Sequence, residues 1–312
     1  MTRLSEIKFK FVINFVTVYK LFKRYVLHKN PVTMCFRNLF HKPDPVPEPI
    51  PEPIPETITT GSKTALLFGI KDYPKGSQND LRGPLNDLVD IEEIISSLRT
   101  NFFIKTFRNS QVTRSCFINE LRSAIALLKD NDVLFVYFSG HGTKIIDKNN
   151  DESDEYDEAI VVYNDEKNDY DYVIDDDIRD SLVNIPDNCS VIIAFDSCFS
   201  DTADKAFMPN GVRKYIPNPA IAPDVKKRIS IPKSEIKHIM FAACGEQQTS
   251  ADAYIDGKFR GAFTCYFKKT FNPSMTNLEW INAIKKCLPS SEFDQVPILR
   301  GNESLKNKIV FT

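Results

Sequence analysis

The chain has 312 residues, with 42% hydrophobic and 11% aromatic residues and a formal net charge of −2 at pH 7. This length allows one large domain or two small ones, and the near-neutral charge argues against a nucleic-acid binder. No apolar run approaches the roughly 18–20 residues that span a bilayer. The seven cysteines are scattered without a CxxC pair, which predicts reduced thiols in a cytoplasmic protein without a disulfide framework or zinc site.

The N-terminal part of the chain differs in composition from the rest. Residues 1–42 form a basic, aromatic extension, which fits a membrane-surface anchor, a protein-binding segment or a loosely held tail. Residues 43–62 follow as a proline-rich linker containing "PDPVPEPIPEPIPE". Because proline fixes φ and removes a backbone donor, the linker is predicted to be an extended spacer. The globular domain is therefore expected over residues 63–312.

Beyond the linker, short apolar runs alternate with segments of helical periodicity. The runs predict buried strands, and the periodic segments predict helices. The predicted strands are 64–70, 102–107, 133–139, 158–163, 189–196 and 236–244. The predicted helices are 84–101, 113–130 with Thr113 as the N-cap, 175–183 and 262–271. This alternation predicts an α/β fold whose largely parallel sheet is covered by helices on both faces.

Two of the predicted strands end in side chains suited to nucleophilic chemistry. "VLFVYFSGHG" leads to His141 between two glycines, and "VIIAFDSC" leads to Cys198. Taken singly, a cysteine or histidine there is more typical of a packed residue, but the carboxyl ends of neighbouring parallel strands meet in one crevice. We interpret the pair as a dyad in which Cys198 attacks as a thiolate and His141 transfers protons. The N–H groups of Gly142 and Cys198 would then point at a developing oxyanion.

The order of the motifs resembles that of the metacaspases, relatives of the caspases in the same cysteine-protease clan. The blocks that carry the resemblance are "TALLFGIKDYP", "LRGPLNDL", "LFVYFSGHGTK", "YVIDDDIRDSL", "AFDSCFS" and "AACGEQQTSADA". They cover nearly everything from residue 63 to the end. The short segment after Cys198 and the proline-rich N-terminal region resemble those of type I members. The resemblance implies a caspase-like three-layer sandwich around a mostly parallel six-stranded sheet. It also implies a monomeric endopeptidase that cleaves polypeptides after Arg or Lys.

The resemblance further implies an acidic substrate pocket beside the dyad. Asp196 and Asp87 match acidic pocket residues of the family, and Ser139 lines the same pocket by position. A cationic side chain buried there needs an opposite charge, so the acidic residues agree with cleavage after a basic residue. Without the resemblance, Asp87 would be interpreted as a helix-start carboxylate and Asp196 as a strand-end acceptor.

Residues 147–180 are crowded with Asp and Glu. Such a run is commonly a solvated loop, but calcium also takes its ligands from several carboxylates. The spacing within 147–158 imitates an EF-hand loop, although Glu152 stands where that turn needs glycine. The resemblance instead implies ligands at Asp157, Asp175, Asp176 and Asp204, and we favour this set. Calcium would then act as an activator that orders the loops beside the dyad.

Some features leave alternatives open. Phe199 follows the nucleophile where the family often has histidine, and Pro84 stands where it often has cysteine. The basic segment 212–230 predicts either a site of self-cleavage or a plain connecting loop. The departures from the family pattern motivate a second hypothesis, a caspase-fold regulatory or interaction protein with weak or no catalysis.

Overall fold

The computed structural model describes residues 61–74, 77–146, 156–198, 211–216, 236–245, 248–290 and 292–312. The predictions for the extension 1–42, for linker residues 43–60 and for Asp204 lie outside these ranges, as does most of the basic segment 212–230. No helix within the described ranges is long and apolar enough to cross a membrane.

The elements alternate between strands and helices along the chain. The strands are β1 (Lys63–Gly69), β2 (Phe102–Arg108), β3 (Val133–Ser139), β4 (Gly142–Ile146), β5 (Tyr156–Tyr163), β6 (Tyr170–Ile174), β7 (Ser190–Asp196), β8 (Gly211–Arg213), β9 (His238–Ala242), β10 (Ala251–Ile255), β11 (Lys258–Gly261) and β12 (Ile298–Gly301). The helices are α1 (Pro84–Ser97), α2 (Arg114–Leu127), α3 (Asp175–Ser181), α4 (Ala262–Lys269), α5 (Asn277–Cys287) and α6 (Glu303–Lys306). Short 3-10 turns lie at Ser77–Asn79 and Asn109–Gln111.

A six-stranded sheet forms the centre of the domain, with the strand order β12-β9-β7-β3-β1-β2. Every neighbouring pair in it is parallel except β12 with β9. The innermost strands β3 and β7 are buried at every position, as expected for continuous apolar runs covered on both faces. The predicted α/β class and the mostly parallel six-stranded sheet are therefore confirmed.

Each face of the sheet packs against helices through its own hydrophobic cluster. On one face, Phe117 and Leu121 of α2 and Ile178 of α3 join the alternate strand residues of β1 and β3. On the other face, α1, α4 and α5 contribute a cluster that includes the fully buried Trp280 and Phe267. Burial of this apolar surface on both sides supplies the main driving force for the three-layer arrangement.

Two antiparallel three-stranded sheets flank the central sheet, one ordered β4-β5-β6 and the other β11-β10-β8. The strand predicted over 158–163 is β5 and lies in the first of these sheets. The sequence patterns predict none of the other five strands in these two sheets, because they are short and carry glycine or charged residues. The helix predicted over 84–101 ends earlier, at Ser97, because Leu98 turns to an extended conformation with φ −71° and ψ 135°. Thr113 caps α2 as predicted, its side chain accepting from the Cys116 N–H at 3.1 Å.

The register of the central sheet determines where the reactive residues meet. Ser139 at the end of β3 is paired with Asp196 at the end of β7. His141 and Cys198 each follow two residues beyond this pair, so both leave the sheet at the same edge. The Ala243 N–H donates to the Phe195 carbonyl at 3.0 Å, which brings the end of β9 and Cys244 to that edge as well.

Candidate active site

The predicted acidic pocket is formed, and a lysine of this chain fills it. The Lys214 Nζ lies 3.1 Å from Asp87 Oδ2, 2.9 Å from Ser139 Oγ and 3.1 Å from Asp196 Oδ1. All four side chains are fully buried. An ammonium group carries three donors, and the pocket offers three acceptors at hydrogen-bond distance.

Neighbouring donors hold the two carboxylates in place. Asp87, in the first turn of α1, accepts from Ser139 Oγ at 2.7 Å and from the Gly261 N–H at 2.8 Å. Asp196 accepts from Ser250 Oγ at 2.6 Å and from both the N–H and the hydroxyl of Thr264 at 3.1 and 2.6 Å. These hydrogen bonds fix both carboxylates around the cation, and such pre-organisation reduces the cost of binding it.

The buried carboxylates of the pocket favour a charged lysine. Burial raises the pKa of Asp87 to about 6, while the Lys214 ammonium acts in the opposite direction. Burial tends to lower the pKa of Lys214, but the carboxylates of Asp196 and Asp87 outweigh it and raise that pKa above its ordinary value. A third carboxylate, Asp252, is buried nearby and also raises the Lys214 pKa. The lysine is therefore held in its charged form.

The carbonyl group of Lys214 lies between two backbone donors. Its oxygen accepts from the Gly142 N–H at 3.0 Å and from the Cys198 N–H at 3.2 Å. These are the two groups whose convergence on an oxyanion the sequence predicts. The peptide bond between Lys214 and Tyr215 is thereby held beside the backbone of Cys198.

The residues around Lys214 form an extended segment held on both sides. Before it, Gly211–Arg213 pairs antiparallel with β10, and the Lys214 N–H donates to the Ser250 carbonyl at 3.1 Å. After it, Tyr215 bridges to Gly142 in parallel, and the Ile216 N–H donates to the Gly142 carbonyl at 3.1 Å. The segment 211–216 thus runs from one small sheet to the other across the ends of β3 and β7.

The His141 ring is oriented by a backbone carbonyl and a tyrosine. Its Nε2 lies 2.8 Å from the Asn79 oxygen, and since a carbonyl only accepts, the neutral ring carries its proton on Nε2. Tyr73 packs against the ring with centroids 4.7 Å apart, and its hydroxyl accepts from the His141 N–H at 2.7 Å. The buried Nδ1 has no hydrogen-bond partner among the described residues. Burial lowers the pKa of His141 to about 4, so the ring is uncharged at neutral pH and Nδ1 keeps its lone pair.

The Cys198 thiol is buried and contacts two other polar groups. It donates to the Ser250 carbonyl at 3.2 Å, and the Ser250 N–H points back at the sulfur. Cys244 hydrogen-bonds to Cys198, and this contact together with burial raises the pKa of the Cys244 thiol well above its usual value. No disulfide is formed by either residue.

Sequence reasoning did not identify several residues that contact these groups. Ser250 and Asp252 lie within the quoted block "AACGEQQTSADA", but nothing in their residue types distinguishes a ligand of Asp196 from an ordinary loop serine. Asn79 acts through its backbone carbonyl, so its side chain gives no signal. Lys214 was one of several basic residues in a predicted loop, and only the hydrogen bonds of its carbonyl single it out.

Three of the four residues predicted to bind calcium lie together at one end of β5 and β6. The pairing of Ala159 with Ile174 brings Asp157 opposite the start of α3, where Asp175 and Asp176 lie. Arg179 pairs with Asp176 Oδ1 at 2.5 Å and with Asp175 Oδ2 at 2.9 Å. Carboxylate oxygens are suitable donors for calcium, so the residue types fit that ion. Across the described ranges, however, no group of three or more His, Cys, Asp or Glu side chains is already arranged around a metal position.

Comparison with known proteins shows what kind of domain this is. A family model described as the Caspase domain matches residues 62–308. Metacaspase-1B of Aspergillus oryzae is 27% identical over 300 residues, covering 81% of this chain and 70% of the relative. Metacaspase-1 of Candida albicans is 25% identical and covers 81% of this chain and 67% of the relative.

Solved structures show the same fold at low sequence identity. A protein from Geobacter sulfurreducens matches with a TM-score of 0.62 at 22% identity, covering 80% of this chain and 98% of that one. Caspase-1 from Spodoptera frugiperda matches with a TM-score of 0.51 at 12% identity, covering 77% and 88%. The fold, the family match and the metacaspase relatives agree with the predicted resemblance. The chain therefore belongs to the caspase-domain family and is a metacaspase-like cysteine endopeptidase that acts on polypeptides.

Proposed function

We propose that this endopeptidase cleaves after Lys or Arg, with Cys198 as the nucleophile and His141 as the acid and base, and that it cuts its own chain between Lys214 and Tyr215. One observation carries the proposal. The Lys214 ammonium fills the acidic pocket while its carbonyl accepts from the N–H groups of Gly142 and Cys198. A bound substrate needs the same two anchors, so the segment 211–216 resembles a substrate held in place before reaction.

The proposed mechanism gives each of these groups one step. The Cys198 sulfur gives its proton to Nδ1 of His141 and attacks the Lys214 carbonyl carbon. The developing oxyanion is stabilised by the two N–H groups that already contact the oxygen. His141 then donates the proton to the Tyr215 amine as the peptide bond breaks, which leaves a thioester on Lys214. Water, deprotonated by His141, hydrolyses the thioester and frees the thiol.

The pocket geometry supports specificity for a basic residue. A neutral side chain would leave Asp87 and Asp196 buried without a counter-charge, which is costly. The three acceptors around Lys214 match a compact ammonium, whereas the planar guanidinium of arginine carries five donors and needs more room. Both residues are substrates in this proposal, and lysine is the better fit.

Calcium is proposed as an activator, held by Asp157, Asp175 and Asp176, with Asp204 completing the set. When bound, calcium would neutralise the mutual repulsion of these carboxylates. Arg179 now supplies positive charge to Asp175 and Asp176. The ion would therefore have to displace this guanidinium from the carboxylates that it binds.

The test uses the full chain and its Cys198→Ala variant. Each protein is incubated with calcium from chelator to millimolar levels, and the fragments are identified by intact mass. We expect the wild type to yield a new N-terminus at Tyr215 and the variant to stay intact. Cleavage at another basic residue would refute the Lys214 assignment but keep the protease.

A complementary assay supplies fluorogenic peptides ending in Lys, Arg, Asp or Asn to the same two proteins. Signal for Lys and Arg alone, lost in Cys198→Ala, is the expected result. If the wild type cleaves neither itself nor any peptide at any calcium level, the proposal fails and a regulatory caspase-fold protein becomes the better description.

A further inference from the structure

The segment 211–216 is anchored at two side chains, and the acidic pocket accounts for only one of them. Lys214 and Ile216 are buried, whereas Tyr215 between them is half-buried and Val212 is 46% exposed. Ile216 is 6% exposed and belongs to the hydrophobic cluster that covers the α2 and α3 face of the sheet. The segment therefore has one charged anchor before the scissile bond and one apolar anchor after it.

Backbone contacts fix the register of the second anchor. Gly142 accepts from the Ile216 N–H at 3.1 Å through its carbonyl, and its own N–H donates to the Lys214 carbonyl at 3.0 Å. One residue of β4 thus binds the chain on both sides of the Lys214–Tyr215 bond. Any substrate that places its carbonyl oxygen on the Gly142 N–H is brought into the same register. Its second residue after the cut then lies where Ile216 lies.

We infer that this position is an apolar subsite and that the substrates are polypeptides with Lys or Arg at the cleavage position and an aliphatic residue two positions further on. The inference rests on the proposed function and narrows its substrate class. Burial of an isoleucine side chain is favourable, whereas a carboxylate at the same place would be desolvated without a partner. The subsite also favours internal bonds over terminal ones, since it requires chain on the leaving side.

The test compares internally quenched peptides built on the chain's own sequence "GVRKYIPN". The matched variants replace the isoleucine by valine or by aspartate, and a control replaces the exposed valine before Arg by aspartate. The full chain, incubated with calcium so that it can process itself, serves as the enzyme. The measured quantity is kcat/KM for each peptide.

We expect the isoleucine-to-aspartate peptide to lose about ten- to a hundred-fold in kcat/KM, the size of effect that an apolar side chain gives in a hydrophobic pocket. The valine peptide and the control should stay within about three-fold of the parent, because valine remains apolar and the control position is exposed. Equal rates for the isoleucine and aspartate peptides would overturn the subsite while leaving the protease intact. Failure to cut even the parent peptide would overturn the proposed function, and the subsite with it.

A second experiment tests the same inference within the chain. Ile216→Asp and Val212→Asp are compared for the rate of self-cleavage after Lys214, with circular dichroism as the check on folding. We expect Ile216→Asp alone to slow cleavage. Equal rates in the two folded variants would contradict the inference.

Discussion

Two acidic clusters in this domain each pair with one basic residue of the same chain, but in different surroundings. In the acidic pocket, Lys214 is fully buried between Asp87 and Asp196. At the start of α3, Arg179 is 32% exposed and pairs with Asp175, which is 33% exposed, and with the buried Asp176. The first ion pair is enclosed and the second is open to water on one side.

This difference in burial predicts that the two ion pairs contribute differently to the free energy of unfolding. A buried ion pair is strongly destabilised when one partner is removed, because the remaining charge has no solvent. Water screens the part-exposed pair of Arg179 and Asp175, so the loss of that pair costs less. We therefore expect the pocket to be stable only with a cation in it, which suits a substrate site. The carboxylates at the start of α3 should be able to exchange Arg179 for another cation, which suits a regulatory site.

Removal of the buried cation gives the largest expected effect. Lys214→Met in the Cys198→Ala background leaves two facing carboxylates buried, and we expect a loss of about 3 kcal/mol in the free energy of unfolding. Urea denaturation at pH 7.5 measures it, and Arg179→Gln in the same background is the matched comparison. Equal losses for the two variants would contradict the distinction between the clusters.

A single methyl group in the pocket tests whether its shape matters as much as its charge. A Cβ on Gly261 would lie 2.0 Å from Asp196 Oδ2 and 2.5 Å from Lys214 Nζ, whereas a Cβ on Gly245 would meet nothing closer than 3.4 Å. We expect Gly261→Ala to lower the rate of self-cleavage by about a hundred-fold or more, since small misplacements are costly in catalysis. Gly245→Ala should cleave itself at the wild-type rate. Slow cleavage in both variants would show that the loss in Gly261→Ala does not come from the shape of the pocket. Fragment formation over time is the measurement.

The pH dependence of processing reports on the charge of the pocket. With a pKa of about 6, Asp87 loses its negative charge as the pH falls through that value, and the hold on Lys214 weakens. The rate should therefore decline below about pH 6, before His141 titrates near its pKa of about 4. In Asp87→Asn the decline in rate should begin at a lower pH, closer to the His141 pKa of about 4, although the rate is reduced at every pH. If the dependence of rate on pH is unchanged in this variant, the decline at low pH comes from the titration of another group.

The smallest expected effect concerns the cluster at the start of α3. Arg179→Gln should reduce the free energy of unfolding by less than Lys214→Met does, because Arg179 and Asp175 are each about a third exposed. It should also lower the calcium concentration for half-maximal activity by a few-fold, because the ion no longer competes with the guanidinium. Calcium titration of peptide cleavage measures the shift. Asp157→Asn should have the opposite effect, and a response to calcium that neither variant alters would exclude these residues as ligands.

The sequence predicts the role of a residue when that role depends on the residue type and on a local pattern. The continuous apolar runs of β3 and β7 lead to His141 and Cys198, because buried strands and their carboxyl ends have a strong pattern. The role of Asn79 is invisible in the sequence, since any residue presents the same carbonyl. Ser250 holds Asp196 and Cys198 only because β10 folds back against the central sheet, a long-range contact without a local signal. Similarly, no composition rule selects Lys214 from its basic neighbours before the register of β8 on β10 is known.

Strand β8 has another consequence for the protein after cleavage. It is the outer strand of its sheet and covers one side of β10. If the cut releases it, the N–H and C=O groups of β10 on that side lose their partners, and an uncovered strand edge can pair with any extended chain that approaches it. A protein stored at high concentration after processing would then self-associate along this edge. A peptide inhibitor that occupies the site should suppress the association.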